Sequence, residues 1–161
     1  MKHLLLTTIV AVVLVGCATT QQQEVKTKAK AADILIHEAV AEGNIEAVKQ
    51  HLNAGTDVNA KASRGWTPLH SVATKEIAEL LIAKGADMEA KEWDWTPLHN
   101  AADGGQKEIA ELLITKDADV NAKMEDGDTP LDHSAKRHPE ITDLLRKHGG
   151  KTGEELKAEG K

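Results

Sequence analysis

Cysteine, histidine and clustered carboxylates build most catalytic and metal centres, and this sequence of 161 residues offers few of them in a useful arrangement. Cys17 is its only cysteine, so no second thiol can join it in a disulfide or a zinc site. Asp132, His133 and His138 lie close enough in the sequence to share a metal ion. They also belong to a polar terminal stretch, where scattered surface side chains are the simpler explanation. We therefore predict no metal site.

Sequence motifs for catalysis or cofactor binding are absent as well. The chain has no glycine-rich phosphate-binding loop and no HExxH pair for a catalytic zinc. Gly104 and Gly105 are adjacent, but their place between two apolar helical patterns indicates a turn. We expect a protein that is not an enzyme and uses no cofactor.

Three histidines recur at a regular interval along the chain. His37, His70 and His99 are 33 and 29 residues apart, and the last two each end a Thr-Pro-Leu-His tetrapeptide. One such histidine could be a ligand or a catalyst, but periodic recurrence favours a structural role. The octet KEIAELLI also occurs twice, at residues 75–82 and 107–114. A unit of about 33 residues repeated four times is typical of a solenoid.

Each unit has the pattern of a turn, a helix, a short loop, a second helix and a projecting loop. In the third unit, Thr96 suits an N-cap and Pro97 the first helical position. Ile109, Leu112 and Leu113 form one apolar stripe of its second helix. The predicted units cover residues 33–61, 62–91, 92–123 and 124–151, and residues 152–161 are expected to be a frayed tail.

These units resemble ankyrin repeats. The matching motifs are TPLH at residues 67–70 and 96–99, a degenerate TPLD at 129–132, and DVNAK endings at 57–61 and 119–123. The resemblance covers residues 33–151 and implies an all-α solenoid of stacked antiparallel helix pairs with projecting hairpin-like loops. It also implies that the motif side chains hydrogen-bond from repeat to repeat. The residues expected to do so are Thr67, His70, Thr96, His99 and Thr129.

Two departures from the repeat pattern have structural consequences. The second repeat is four residues shorter than the first, measured between their histidines. Three residues are missing between its helices and the fourth from the loop at residues 92–95, which has no glycine, so this repeat should be irregular and the least stable. In the third repeat, Asp117 stands where a helix-ending glycine is expected.

The first 16 residues have the pattern of a signal peptide. A basic start precedes an apolar run at residues 4–15, which is too short to cross a bilayer comfortably. Leu-Val-Gly-Cys at residues 14–17 resembles the bacterial lipobox, which implies cleavage before Cys17 and its lipidation. The polar residues 17–32 would then tether the domain to the periplasmic side of a membrane, the outer one being favoured by Ala18. The alternative is a secreted protein whose cleavage region contains a cysteine.

The charge balance limits the kinds of partner. One of the 20 basic residues lies in residues 1–16, so the mature chain would have 19 against 26 acidic residues, a net charge of −7. This balance argues against nucleic acid and against a broad basic membrane-binding face. We expect a monomer that meets the membrane through its lipid only.

The aromatic residues indicate a binding surface. The chain has three tryptophans and no phenylalanine or tyrosine, and all three tryptophans precede a TPLH motif in a projecting loop. Exposed loop aromatics often contact protein partners, although these rings could instead pack across loops and stiffen them. The residues predicted to contact a partner are Trp66, Trp93, Trp95, Arg64, Glu92, Asp94, Glu125, Asp126 and Asp128. First-helix positions expected to face the same groove are Glu42, Ser71, Asn100 and Asp103.

Together these patterns predict a noncatalytic scaffold or adaptor, tethered to the bacterial envelope, that binds another protein through its concave loop face. The mostly acidic rim around the tryptophans would suit a basic partner. One alternative is an immunity-type or protective inhibitor of an envelope-acting enzyme. The other is a metal-binding or enzymatic role that uses His133 and His138.

Overall fold

The computed structural model describes residues 36–62 and 65–160. The predicted signal peptide, Cys17, the tether and Arg64 lie outside the described residues. Within them, regular structure is helical apart from one isolated bridge between Glu92 and Trp95. The helices are α1 (described over residues 36–41), α2 (Ile45–Asn53), the 3₁₀ helix η1 (Pro68–Ser71), α3 (Lys75–Ala83), α4 (Pro97–Asp103), α5 (Lys107–Thr115), α6 (Pro130–Ser134), α7 (Pro139–Lys147) and α8 (Gly153–Ala158).

The helices stack in two layers, which confirms the all-α solenoid. The first helices of successive repeats form one layer, in which α4 contacts both η1 and α6. The second helices form the other layer, in which α5 contacts both α3 and α7, and α2 contacts α3. Within a repeat, α4 packs on α5 and α6 on α7. Each repeat therefore buries its apolar face against its neighbours rather than around one central core.

Small residues on the first helices and bulky ones on the second let the layers approach closely. Ala101 and Ala102 of α4 are buried, as are Ile109 and Leu113 of α5. Full burial of one such aliphatic side chain stabilises a fold by about 1.5–3 kcal/mol. Repeats two, three and four have the same residue type at three equivalent buried positions. The three sets are Leu69, Leu98 and Leu131; Ile77, Ile109 and Ile141; and Leu81, Leu113 and Leu145.

The second repeat is irregular, as predicted. Its first helix is reduced to η1, a single 3₁₀ turn of four residues, because the residues that would continue the helix and turn are missing. The third repeat supplies hydrogen bonds to the carbonyls left unpaired. Asn100 Nδ2 donates to the carbonyl of His70 at 3.0 Å, and Gln106 Nε2 to that of Val72 at 2.9 Å.

The prediction of a frayed C-terminal tail is wrong. Residues 153–158 form α8, in which Thr152 and Glu155 make a capping box and Leu156 is buried. Arg146 of α7 donates to Glu155 at 2.6 Å, and this hydrogen bond lowers the pKa of the Glu155 carboxyl to about 2. The extra helix covers the last repeat, as the open end of a solenoid requires.

The projecting loops are linked from repeat to repeat by side-chain amides. Asn59 donates to the carbonyl of Gly85 at 3.1 Å and accepts from the N–H of Asp87 at 2.8 Å. Asn121 makes the equivalent pair of bonds two repeats later. In the second repeat Glu89 stands at the equivalent position, and its carboxylate accepts one hydrogen bond, from the N–H of Asp119 at 2.9 Å. These bonds hold the bases of the hairpins in register.

Candidate functional site

The hairpin at residues 92–95 has an unusual backbone. The N–H of Glu92 donates to the carbonyl of Trp95 at 3.1 Å, and the N–H of Trp95 donates back at 3.0 Å. The two residues between them, Trp93 and Asp94, have φ angles of 51° and 63°, as a type I′ turn requires. Asn-Gly is the usual pair there. Asp tolerates this region comparatively well, whereas a bulky residue such as Trp costs about 1–3 kcal/mol. In the neighbouring hairpins a glycine, Gly65 or Gly127, takes the positive φ.

Trp93 is held outward at the tip of this strained turn. Its side chain is 78% exposed, and it is the one exposed large hydrophobic residue of the described chain. Both the exposure of an indole and the backbone strain are unfavourable for the free protein. A residue that costs stability in two ways is a candidate for a functional role.

Trp66 and Trp95 are placed differently, because both are only partly exposed. The Trp66 ring lies 5.6 Å from the ring of His70. The Trp95 ring lies 4.5 Å from that of His133 and 6.1 Å from that of His99. These packed rings support the hairpins, so stiffening is part of what these two residues do.

All three tryptophans nevertheless line one cavity, which we call the tryptophan groove. It has a volume of about 570 Å³ and is lined by Trp66, Glu92, Trp93, Trp95, Asn100 and Asp103. Four of these residues were predicted partner contacts, and Asn100 and Asp103 were predicted groove positions; Glu42 and Ser71 do not line it. A partner-binding role for the lining residues stays a prediction.

The other predicted rim residues lie apart from the groove lining. Asp94 is in the turn beside Trp93, and the exposed Glu125 is in the next hairpin. Asp126 and Asp128 line a second cavity of about 410 Å³, together with residues of α8. The predicted acidic rim is thus divided between two sites.

The histidine of the first TPLH motif, His70, connects the second and third repeats. Nδ1 of His70 accepts from the N–H of Thr67 at 3.2 Å and lies 2.9 Å from its hydroxyl, while Nε2 lies 3.1 Å from the carbonyl of Trp95. This pattern requires the neutral tautomer with its proton on Nε2. Burial lowers the pKa of His70, against smaller raising effects that include its hydrogen bond to Trp95. Both ring nitrogens of His70 are therefore used in structural hydrogen bonds.

His99 differs from His70 at one atom. Its Nδ1 accepts from Thr96 in the same way, but within the described chain no acceptor lies in good hydrogen-bond geometry to its fully buried Nε2. Burial, followed by the nearby His133, lowers the pKa of His99 to about 4. The ring of His133 meets it edge-on at 5.7 Å, so the rings of His99 and His133 pack together under Trp95.

The fourth repeat has Asp132 in place of the motif histidine, and the structure gives the reason. Asp132 Oδ2 accepts from the N–H and the hydroxyl of Thr129, both at 2.9 Å. It also accepts from the N–H of Gly153 at 2.8 Å. The next element here is the start of α8, which presents N–H groups instead of a hairpin carbonyl. An acceptor is therefore needed where His37 and His70 of the first two repeats use a donor.

The two histidines of the metal alternative are engaged elsewhere. Nε2 of His133 lies 3.2 Å from the sulfur of Met124, and Nε2 of His138 lies 3.0 Å from the carbonyl of Asp103. In the part of the chain that the structure describes, no three His, Cys, Asp or Glu side chains are grouped so as to hold a metal ion. Over the same residues, no helix has the length and apolar character needed to cross a membrane.

A helical-repeat solenoid with a preformed aromatic groove defines a class, the repeat scaffolds that bind other proteins. Comparison with known families specifies it further. Ankyrin repeats in three copies match residues 36–124 and 75–155. The chain belongs to the ankyrin-repeat family, and it is a protein-interaction module.

Individual relatives share about two repeats with this chain. Protein phosphatase 1 regulatory subunit 27 of Homo sapiens is 42% identical over 62 residues, which cover 37% of this chain and 40% of the human protein. Protein phosphatase 1 regulatory subunit 12A of Mus musculus is 41% identical over 64 residues, 38% of this chain and 6% of the mouse protein. An ankyrin repeat-containing protein of Schizosaccharomyces pombe is 31% identical over 64 residues, covering 37% of this chain and 31% of the yeast protein. The chain therefore spans two fifths or less of these relatives.

Proposed function

We propose that this protein is a noncatalytic adaptor that binds one protein partner through the tryptophan groove while a lipid on Cys17 tethers it to the bacterial envelope. The observation behind the binding role is Trp93, 78% exposed at the tip of a turn whose φ angles disfavour it. A partner that covers the indole would recover the cost of its exposure. The rigid stack would lose little conformational entropy on binding.

The relatives support binding in general and no particular partner. Two of them are named as regulatory subunits of a protein phosphatase, so proteins with similar repeats act on other proteins. The shared stretch of 62 to 64 residues equals about two repeats of about 33. Similarity of that extent supports a shared repeat scaffold. In this proposal, the choice of partner depends instead on the tryptophan hairpins.

The tether completes the proposal. A lipidated Cys17 would confine the domain to the membrane surface and raise its effective concentration for partners there. Metabolic labelling with a radioactive fatty acid tests this step: wild type should incorporate label and enter the detergent phase, whereas Cys17→Ser should do neither. Equal behaviour of the two proteins would remove the tether and leave the groove proposal intact.

The groove proposal is tested by crosslinking and capture from detergent-solubilised envelopes. Trp93→Ala is the informative variant, because Trp93 is 78% exposed, whereas alanine at Trp66 or Trp95 would disturb the rings packed beneath them. The matched control is Glu111→Ala, an exposed position on α5, in the layer of second helices. We expect wild type and Glu111→Ala to enrich the same partner and Trp93→Ala to lose most of it. Undiminished capture by Trp93→Ala would place the binding surface elsewhere.

A further inference from the structure

We propose that the tryptophan groove recognises an arginine side chain in an extended basic segment of the partner. This inference rests on the proposed function, since it specifies what the same groove binds. It follows from the combination of aromatic rings and carboxylates that line the groove.

The aromatic part of the lining suits a cation. Three of the six lining residues are tryptophans, and the face of an indole attracts a cationic group more strongly than that of any other aromatic side chain. Trp93 is largely exposed, whereas Trp66 and Trp95 are held in place by the histidine rings below them. A planar guanidinium could therefore stack on rings that are already positioned.

The charged part of the lining has one sign. Its two ionisable residues, Glu92 and Asp103, are both acidic. A cationic neighbour, Arg137, lies 4.0 Å from Asp103, with both side chains well exposed, so that pair is weak and readily exchanged. Asn100 donates one of its two amide N–H groups to a backbone carbonyl, and its amide oxygen is an acceptor. Carboxylates and an amide oxygen are acceptors, and a guanidinium has only donors.

Arginine fits this lining better than lysine. Its planar fork can stack on an indole and donate two parallel hydrogen bonds to one carboxylate, whereas an ammonium acts as a point charge. The volume of about 570 Å³ lies within the range of about 300–1,000 Å³ typical of ligand pockets. That space exceeds one side chain, so the residues flanking the arginine would also enter the groove.

Peptide titration tests the inference on the full chain in detergent micelles. The probes are the peptide acetyl-Gly-Arg-Gly-Arg-Gly-amide and two matched peptides with lysine or the neutral isostere citrulline at both positions. The three indole N–H resonances report on the groove. We expect saturable shifts of these resonances with the arginine peptide, a Kd at least fivefold weaker with lysine, and no saturable shift with citrulline. Equal binding of arginine and citrulline peptides would overturn the inference.

Two charge-neutral variants make the test specific. Glu92→Gln/Asp103→Asn should weaken the arginine peptide at least tenfold. Glu108→Gln/Glu111→Gln, which neutralises two exposed carboxylates of α5, should change its Kd less than twofold. If the two double variants change the Kd equally, the peptide binds through general charge attraction, and the inference is overturned. If Glu92→Gln/Asp103→Asn captures the natural partner as wild type does while Trp93→Ala does not, the groove function stands and arginine recognition fails.

Discussion

Nε2 of His70 donates a hydrogen bond to the backbone carbonyl of Trp95 at 3.1 Å, so a buried side chain of the second repeat fixes the hairpin that opens the third. His37 makes the corresponding bond to the carbonyl of Trp66 at 2.8 Å. The histidines that look most like catalysts are therefore what positions the tryptophans. Their hydrogen bonds thus hold the hairpins that carry the tryptophan groove.

Stability should fall in mild acid because of His99. Burial lowers its pKa to about 4 in the folded protein, against about 6.5 in an unfolded chain. Below pH 6.5 the unfolded state binds a proton that the folded state does not, so folding loses free energy as the pH falls towards 4. Between pH 7 and pH 5 the loss from this one residue should be about 2 kcal/mol. Urea unfolding at a series of pH values measures it.

His99→Gln is the variant that isolates this effect. Glutamine can still accept at the capping-box position but does not titrate, so the pH dependence should become shallower. His70, whose pKa burial also lowers, supplies part of the remaining slope. His148→Gln, an exposed site, is the control and should leave the slope as in wild type. An unchanged slope in His99→Gln would contradict the assignment.

Asp117→Gly should stabilise the protein by about 0.5–1 kcal/mol. Asp117 follows the end of α5 with φ at 67°, the place that Gly85 takes after α3 with φ at 88°. The reverse change, Gly85→Asp, should destabilise by a similar amount, because an added Cβ there meets open space and only the backbone conformation is penalised. Thermal melts of both variants provide the comparison. A lower melting temperature for Asp117→Gly would refute it.

Asp132→His should destabilise the protein although it restores the repeat motif. The imidazole would present a donor to the N–H of Gly153, which now donates to Asp132 Oδ2 at 2.8 Å. Leaving that group unsatisfied costs about 1–3 kcal/mol. Chemical unfolding of the full chain should register the loss.

Truncation after Lys151 is the control for this prediction. With α8 removed, the N–H that needs the acceptor is gone, so Asp132→His should cost much less in the truncated background. The same penalty in both backgrounds would mean that Asp132 does not act through α8.

The repeat architecture could be predicted because it depends on local, periodic signals. TPLH combines an N-cap, a proline at the first helical position and a capping-box histidine, and each of these is legible in a single sequence. The missing glycine at Asp117 was recognisable for the same reason, and φ at that residue is positive. Helix α8 had a signal too, since Thr152 and Glu155 have the spacing of a capping box, but its short length concealed it.

The candidate site was less predictable because it depends on contacts between repeats. The sequence predicted that the three tryptophans lie in loops. It did not predict their different exposure, which follows from the rings of His70, His99 and His133 beneath two of them. His133 was considered as a metal ligand, yet it occupies the repeat position of Asn100 and supports Trp95. The predicted acidic rim is also divided between two successive hairpins, which line different cavities. Such contacts have no local periodic signature.

The most direct test of the account is the double variant Trp93→Asn/Asp94→Gly, measured for both stability and binding. Asn-Gly is the preferred pair for a type I′ turn, so the variant relieves the strain at φ angles of 51° and 63° and removes an indole that is 78% exposed. We expect an unfolding free energy higher by about 1–2 kcal/mol and a loss of partner capture. The central claim is that this turn lowers the stability of the free protein and binds the partner. A variant that is no more stable, or that still captures the partner as wild type does, would contradict it.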